Sequence, residues 1–393
     1  MSNKLRPQVI LLGLVSLLND SASEMIFPIL PVFLTVTLGA TPFDVGMIEG
    51  LADAIASVLK YFAGTWSDRL TRRRPLIGSG YALAAGSRAL IAAATAWPMV
   101  LAARLIDRTG KGIRSAPRDA LISDVTPVEQ RGKAYGFHRA LDHTGAIVGP
   151  LMAMAFLQGF HLQMRTVFYI AVIPGFIAVL LLLMLREPPR EPRTSTTTSS
   201  APLPRKFWAA LGAISLFSLA NSSDAFLLLQ ANAAGVSTAM LPLLWAAHHV
   251  IKALFSTRAG ALSDRMDRRT LLVIGWMSYA AIYFVFPAAH SMRSFFVLFI
   301  VYAIPFTLTE GAERAWISTL VPAEARGKSF GLYYLATGIF VLGGTLLFGA
   351  IYERVSHAAA FSTGAAIALA AALAVLGIRS AGILPAVAGR PGR

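Results

Sequence analysis

Long apolar runs separated by short polar connections recur along the whole chain. Each run is about 20 residues long, the length that an α-helix needs to cross a hydrocarbon core about 30 Å thick. The pattern predicts helices near residues 9–37, 43–64, 75–95, 98–120, 133–157, 166–185, 207–229, 239–259, 270–287, 294–316, 328–351 and 358–377. We therefore predict an all-α membrane protein with twelve transmembrane helices.

The predicted helix at 98–120 is much more polar than the others. Six charged side chains lie within it: Arg104, Asp107, Arg108, Lys111, Arg114 and Arg118. Hydropathy alone would not identify this segment as a membrane helix. It is assigned because the equivalent segment in the second half of the chain, near 294–316, is plainly apolar.

Two basic strings with the same spacing reveal an internal repeat. GTWSDRLTRR begins at Gly64 and GALSDRMDRR begins at Gly260, 196 residues later, and each joins one apolar run to the next. A repeat of this length divides the chain into two equivalent halves. We predict two pseudo-symmetric six-helix bundles at 1–185 and 207–378. A Pro-, Ser- and Thr-rich cytoplasmic linker at 186–206 joins them, and a cytoplasmic tail follows at 379–393.

The distribution of charge indicates orientation in a membrane. Hydrophobic residues make up 55% of the chain and charged residues 14%, with a net charge of +15. That charge would also suit a nucleic-acid-binding protein, but the basic residues are concentrated in the N-terminal segment and in alternate connections. This is the positive-inside pattern, which predicts a bacterial inner-membrane protein with both termini in the cytoplasm and no nucleic-acid partner. The absence of cysteine excludes disulfides and thiolate metal ligands.

The two basic strings resemble the signature loop between the second and third helices of each half in the major facilitator superfamily of membrane transporters. In that family the loop braces the cytoplasmic gate through ion pairs and helix-terminus contacts. The chain departs from the usual motif at Thr71 and Asp267, where a glycine is expected. Membrane anchoring by the arginines is the alternative explanation. The resemblance assigns a gating role to Gly64, Asp68, Arg69, Arg73, Gly260, Asp264, Arg265 and Arg269.

The polar fourth helix contains a candidate proton-coupling residue. Arg108 begins the string RTGKGIRSA, which resembles a family motif with Lys111 replacing the usual glutamine and Gly112 as a packing position. In proton-coupled exporters of the family, the matching arginine is implicated in proton transfer. Arg108 lies roughly 15 Å into its helix and Asp20 roughly 16 Å into the first, so both are near the midplane. We predict that Asp20 carries a proton and pairs with Arg108; a permanent ion pair of Arg108 with Asp20 or Asp142 is the alternative.

The fifth predicted helix contains Gly145, Gly149 and Pro150, which resemble the G-x-x-x-G-P motif found mainly in exporters of the family. Glycines four residues apart permit close helix contact, and a proline bends a helix. Generic helix packing is the alternative, and the trailing glycines of the family motif are missing after Pro150. The motif favours export over import.

The other intramembrane charges are spread over several helices and cannot all face lipid. We expect a polar central cavity and, near its outer mouth, hydrated Glu24 and Glu49. An acidic lining would favour a cationic or amphipathic cargo, whereas Arg104, Arg108 and Lys252 would serve an anion. The candidate substrate-facing residues are Glu24, Glu49, Asp53, Asp142, Asp224 and His249.

These expectations combine into one functional prediction. The chain resembles twelve-helix drug/proton antiporters of the multidrug efflux branch, which implies a monomeric secondary transporter with no enzymatic activity and no cofactor besides the coupling proton. Its predicted partners are a small-molecule substrate, protons and the lipid bilayer. One alternative is a transporter of a metal ion or siderophore; another is an importer of a small metabolite. The candidate metal ligands are Asp20, Asp53, Asp224, His143 and His249.

Overall fold

The computed structural model describes residues 5–68, 70–127, 130–187, 202–263, 266–322 and 325–378, with the backbone alone at 64–65, 68, 131–132, 256–263 and 326–327. Every regular element in these ranges is helical. The α-helices are α1 (Pro7–Ile26), α2 (Leu30–Val32), α3 (Pro42–Asp68), α4 (Arg74–Ala93), α5 (Trp97–Val125), α6 (Arg131–Met154), α7 (Met164–Leu182), α8 (Arg205–Ala220), α9 (Ala225–Ala233), α10 (Leu241–Ser263), α11 (Arg268–Val285), α12 (Met292–Thr319), α13 (Arg326–Arg354) and α14 (His357–Gly377).

Ten helical segments of the described chain are long and apolar enough to cross a membrane. Two further long helices, α3 and α5, fall outside this set because each carries several charged side chains. The polarity of α5 is expected from the sequence, and α5 extends beyond the predicted 98–120 at its C-terminal end. Of the predicted connecting segments, most of the linker and the whole tail lie outside the described residues.

Two of the predicted helices are interrupted. The predicted helix at 9–37 consists of α1, the three residues of α2 and a π-helix at Phe33–Thr37. Pro28 follows the C-cap residue of α1, Phe27, and a proline lacks the N–H that would continue the helical hydrogen bonds. The predicted helix at 207–229 is divided into α8 and α9 by the polar run Asn221–Asp224. Short polar side chains of this kind compete with helical hydrogen bonds.

The helices pack mainly within their own half of the chain. In the first half, α1 packs against α6 and α7, α4 against α5 and α7, and α3 against α5. In the second half, α8 packs against α13 and α14, α10 against α12, and α11 against α12 and α14. The main contacts between the halves are those of α3 with α13 and of α6 with α10. These two contacts flank the space between the halves.

Glycines allow the closest helix approaches. A Cβ atom added to Gly145 would lie 2.6 Å from the carbonyl oxygen of Leu17, and one added to Gly149 would collide with the carbonyl oxygen of Ser21. Both glycines therefore seat α6 directly against the backbone of α1. Gly112 similarly seats α5 on α3, where an added Cβ would lie 2.6 Å from the Cβ of Leu59. Pro150 lies inside α6, next to this contact.

Candidate transport cavity

A cavity of 380 Å³ lies between the two halves. Helices α1, α3 and α5 of the first half and the α8–α9 break, α10, α12 and α13 of the second half form its walls. Both charged and aromatic side chains face the space. The lining residues are Glu24, Phe27, Glu49, Asp53, Ala56, Ser57, Lys60, Arg108, Lys111, Asn221, Ser222, Ser223, Asp224, Trp245, Phe306, Thr337, Gly338 and Val341.

The break between α8 and α9 supplies polar groups to the cavity wall. Asp224 accepts a hydrogen bond of 2.6 Å from the Tyr302 hydroxyl. The Ser222 hydroxyl lies 3.2 Å from the Tyr283 hydroxyl, and Tyr279 donates to the carbonyl oxygen of Ala220 at 3.1 Å. Tyrosines of α11 and α12 therefore satisfy the groups that the break exposes. An irregular backbone is tolerated at membrane depth where it lines a cavity in this way.

Glu24 links the first half to the second. Its Oε2 accepts a hydrogen bond of 2.7 Å from the indole Nε1 of Trp245 on α10. The Phe27 ring lies 4.9 Å from the Trp245 ring, centroid to centroid. Glu24 was expected near the outer mouth in contact with water, but it is half-buried and hydrogen bonded between the halves. Sequence reasoning did not single out Trp245.

A chain of alternating charges joins α3 to α5. Arg104 donates to Oε1 of Glu49 at 3.0 Å and also bonds to the second carboxylate oxygen. Arg104 lies 3.6 Å from Asp107, and Arg108 lies 3.4 Å from Asp53 and 4.0 Å from Asp107. Glu49 was expected to be hydrated, but it is 3% exposed and paired, because the opposing helix presents an arginine at its level. Asp107, which sequence reasoning did not assign to the site, lies at the centre of this network.

The predicted pairing of Asp20 with Arg108 is not formed in this structure. The described ion-pair partners of Arg108 are Asp53 and Asp107. Asp20 instead accepts a hydrogen bond of 2.9 Å from the Asn19 amide. The Asn19 side-chain oxygen in turn accepts 2.8 Å from Arg88, a fully buried guanidinium of α4. The proton-coupling role of Asp20 and Arg108 remains a prediction.

Two of the predicted substrate-facing residues lie away from the cavity. Asp142 lies 3.4 Å from His138 and 4.0 Å from Arg139, all on α6. His249 packs edge-on against the Trp245 ring, and neither of its buried ring nitrogens has a hydrogen-bond partner in the described chain. Glu24, Glu49, Asp53 and Asp224 do line the cavity. The described residues contain no cluster of three or more histidine or acidic side chains that would hold a metal ion.

A second cavity, of 600 Å³, lies where α6 meets α10 and α12. Arg139 and His143 line it from α6, and Glu310 and Arg314 line it from α12. Glu310 and Arg314 pair with each other at 3.2 Å. Phe306 borders both this cavity and the central one.

The first basic loop is anchored by Asp124 of the first half and by Glu187 at the start of the predicted linker. Arg73 is 3% exposed, donates from Nε to Ser67 at 2.9 Å and forms an ion pair with Asp124 at the end of α5. Glu187 accepts hydrogen bonds from the backbone N–H groups of Arg73 and Arg74 at 2.7 and 2.8 Å. It therefore caps the N-terminus of α4. Asp124 and Glu187 lie outside the repeated strings, so the motif could not reveal them.

The second basic loop is anchored differently. Asp267 caps α11 by accepting from the backbone N–H of Arg269 at 3.0 Å and from its guanidinium. Arg269 also donates to the carbonyl oxygen of Ile378 at 2.7 Å. Gly64 and Gly260 lie in the last turns of α3 and α10. Arg69, Asp264, Arg265 and the side chain of Asp68 lie outside the described residues.

Membrane-spanning helices and a charged cavity between two halves define a multi-pass transport protein. A model of the Major Facilitator Superfamily matches residues 12–248 and 209–390. An MFS-type transporter of Methanocaldococcus jannaschii is 30% identical over 383 residues, which cover 95% of this chain and 95% of that protein. The chain belongs to the Major Facilitator Superfamily.

Two further likenesses are more limited. The quinolone resistance protein NorA of Staphylococcus aureus is 27% identical over 171 residues, which cover 44% of this chain and 43% of that protein. The crystal structure of a peptide transporter in complex with alafosfalin matches with a TM-score of 0.79 at 12% identity, covering 94% of this chain and 93% of the other. At that identity the match shows the fold alone.

Proposed function

We propose that this transporter exports a small amphipathic or cationic molecule in exchange for protons, by alternating access. The proposal rests mainly on the hydrogen-bond partners of two carboxylates in the cavity. Glu24 and Asp224 each accept a hydrogen bond from a neutral donor, the indole of Trp245 or the phenol of Tyr302. Neither forms an ion pair with a described side chain, so their charge is available to a cationic cargo.

The aromatic lining supports an amphipathic cargo. Phe27, Trp245 and Phe306 face the same space as the two carboxylates. Aromatic faces attract cations and bury apolar area, so a cation with an apolar body satisfies both parts of the wall. The partial likeness to a quinolone resistance protein agrees with a cargo of this kind.

The proposal includes twelve membrane crossings in two bundles of six, with both termini in the cytoplasm of a bacterial cell. The ten apolar spans supply most of the crossings, and α3 and α5 supply the others. The charged side chains of α3 and α5 lower their hydropathy, which keeps these two helices out of the set of apolar spans. Ion pairs such as Glu49–Arg104 compensate those charges inside the membrane. The basic connections at alternate helix ends support the orientation.

The proposals of proton coupling and of outward transport depend on residues of the first half. Asp20 is a half-buried carboxylate one helical turn from Glu24, hence close to the cavity without lining it. Gly145 of the exporter-like motif seats α6 on α1 at this level, since its added Cβ would lie 3.0 Å from the Cβ of Asp20. A proton taken up by Asp20 changes the charge at the contact between these helices.

The test is proton movement in everted membrane vesicles with an acidic interior. Ethidium is the first probe, as an amphipathic cation, followed by siderophores, sugars and divalent metals. We expect ethidium to collapse the gradient with wild type and not with Asp20→Asn or Asp224→Asn. A gradient that no compound collapses, while labelled solutes still cross, would overturn proton antiport.

A second candidate cargo is an anionic or zwitterionic metabolite. Lys60, Arg108 and Lys111 line the same cavity as Glu24 and Asp224. Basic side chains in that position would bind a carboxylate or phosphate group. The same vesicle assay separates the candidates: a Lys111→Gln variant that loses transport of an anion but retains ethidium exchange would favour the second.

A further inference from the structure

A buried pair of titratable side chains lies behind the central cavity. His138 Nδ1 is 3.4 Å from Oδ2 of Asp142, and the two side chains are 3% and 14% exposed. The other ring nitrogen of His138 and the other oxygen of Asp142 are buried without a hydrogen-bond partner in the described chain. Each group therefore has one site free to accept or release a proton.

The glycine contact brings this pair to the level of Asp20. Gly145 touches α1 at Leu17 and Asp20. Asp142 precedes Gly145 by three residues on α6, about 4.5 Å along the axis toward the start of the helix. Asp142 and Asp20 act on each other electrostatically. A proton hop between the two carboxylates needs a direct hydrogen bond or one bridging water.

Asp20, Asp142 and His138 form a series in the first half, each closer than the one before to the start of α6. Asp20 lies near the midplane, and Asp142 and His138 lie roughly 16 Å and 10 Å from the start of α6 at Arg131. That start belongs to a basic connection, which the positive-inside pattern places in the cytoplasm. None of the three lines the central cavity. A proton moving along the series therefore stays outside the cargo cavity.

Charged groups surround the series on every side. Lys111 and Arg114 of α5 act on Asp20, and Arg118 of α5 acts on Asp142. On α6 itself, Arg139 lies 4.0 Å from Asp142. From the α10 side, Lys252 acts on His143, the next histidine along α6.

We propose that Asp142 and His138 relay protons from Asp20 to the cytoplasmic face, along a route separate from the cargo cavity. The proton leaves the carboxyl group of Asp20 for the carboxylate of Asp142. Asp142 passes it to Nδ1 of His138, and the imidazolium returns to neutral by giving its Nε2 proton to water that enters from the cytoplasmic start of α6. The inference rests on the proposed proton antiport and names the groups that complete it.

The test compares two activities of the full-length protein in proteoliposomes: ethidium movement driven by a proton gradient, and ethidium exchange without one. In His138→Asn the amide group replaces Nδ1 as a partner of Asp142 but does not titrate. Because general acid–base groups contribute about 100-fold or more to proton transfer, we expect gradient-driven movement to fall by about that factor. Exchange without a gradient should stay within about two-fold of wild type. His290→Asn, the same change at an exposed site, should alter neither activity.

Three results would overturn the relay. Gradient-driven movement at the wild-type level in both His138→Asn and Asp142→Asn would show that protons do not pass through the pair. An equal fall in both activities would show that the pair only supports the fold. A wild-type protein that exchanges ethidium without any proton coupling would overturn the proposed antiport and the relay together. The first two results leave the antiport standing.

Discussion

Two regions of the transporter stabilise their cavity-lining carboxylates in different ways, one in each half of the chain. Helices α3 and α5 of the first half pair acid with base, as in Glu49 with Arg104 and Asp53 with Arg108. The second half holds its cavity carboxylate, Asp224, with the neutral phenol of Tyr302. Around that phenol the rings of Tyr279 and Tyr283 stack at a centroid distance of 4.2 Å. The two regions therefore differ in the chemistry that stabilises their carboxylates.

The difference indicates that the two regions have different roles in transport. Ionised networks respond to protonation, because each proton gained or lost changes several pairings. Neutral aromatic walls keep their shape when pH changes and offer apolar area to a cargo. We infer that the first half couples to protons, while the aromatic wall of the second half holds the cargo together with Glu24, which accepts a hydrogen bond from that wall.

The largest expected effect is loss of Arg104. Arg104→Ala leaves Glu49 buried without a cation, and breaking a buried ion pair costs about 3–5 kcal/mol of folding free energy. The thermal unfolding midpoint of the purified protein in detergent measures it. Arg293→Ala, an exposed arginine, is the control. An Arg104 variant as stable as this control would contradict the contrast.

The next prediction tests whether both halves depend on close glycine contacts between helices. Gly149→Ala and Gly344→Ala would each drive a Cβ against a backbone carbonyl oxygen of the neighbouring helix, that of Ser21 or of Leu219. Overpacking of this kind costs about 1–3 kcal/mol. Gly343→Ala is the matched control, because its added Cβ would have an ordinary contact of 3.6 Å. If only one of the two variants lowers the unfolding midpoint, the halves differ in packing as well.

Removal of the phenol should cost less than removal of Arg104. Tyr302→Phe leaves the Asp224 carboxylate without its described donor, which costs about 1–3 kcal/mol. The same detergent unfolding assay measures it, with the half-exposed Tyr169→Phe as the control. A cost equal to that of Arg104→Ala would mean that Asp224 depends on its phenol as Glu49 depends on its guanidinium.

The smallest effect concerns the cap of α11. Asp267→Asn keeps a side-chain oxygen for the cap but removes the carboxylate charge that pairs with Arg269, and an ion pair near the surface is worth about 0.2–1 kcal/mol. The side-chain hydrogen bond from Arg269 lowers the pKa of Asp267 below its ordinary value of 3.8. The stabilisation is therefore fully present above pH 3.8 and is lost as pH falls through the lowered value.

Unfolding midpoints measured from pH 6 to pH 3 check this prediction. The advantage of wild type over Asp267→Asn should shrink only at the acid end. Glu187→Ala removes the corresponding cap of α4 and provides the comparison from the first half. A difference that persists unchanged in acid would exclude the carboxylate as its source.

The sequence predicted the helical membrane fold and the family because length, hydropathy and repeated motifs are local signals. It did not predict the partners of Arg108, because pairing depends on the rotation of α5 relative to α3. Asp107 and Trp245 were missed for the same reason, since neither belongs to a motif. The interruption at Asn221–Asp224 had a local signal, a run of short polar residues inside an apolar segment. Asp142 was assigned to the cavity because sequence spacing gives a helix face but not what that face contacts.

The hydrogen bond between Glu24 and Trp245 has a consequence for how a cargo is sensed. The same carboxylate faces the cavity and fastens α1 to α10 across the halves. A cationic cargo that pairs with Glu24 weakens the hydrogen bond from the Trp245 indole. Cargo binding therefore also loosens this contact between the two halves. In a variant that keeps Trp245 and lacks the other tryptophans of the six in the chain, indole emission should therefore change when a cationic cargo binds.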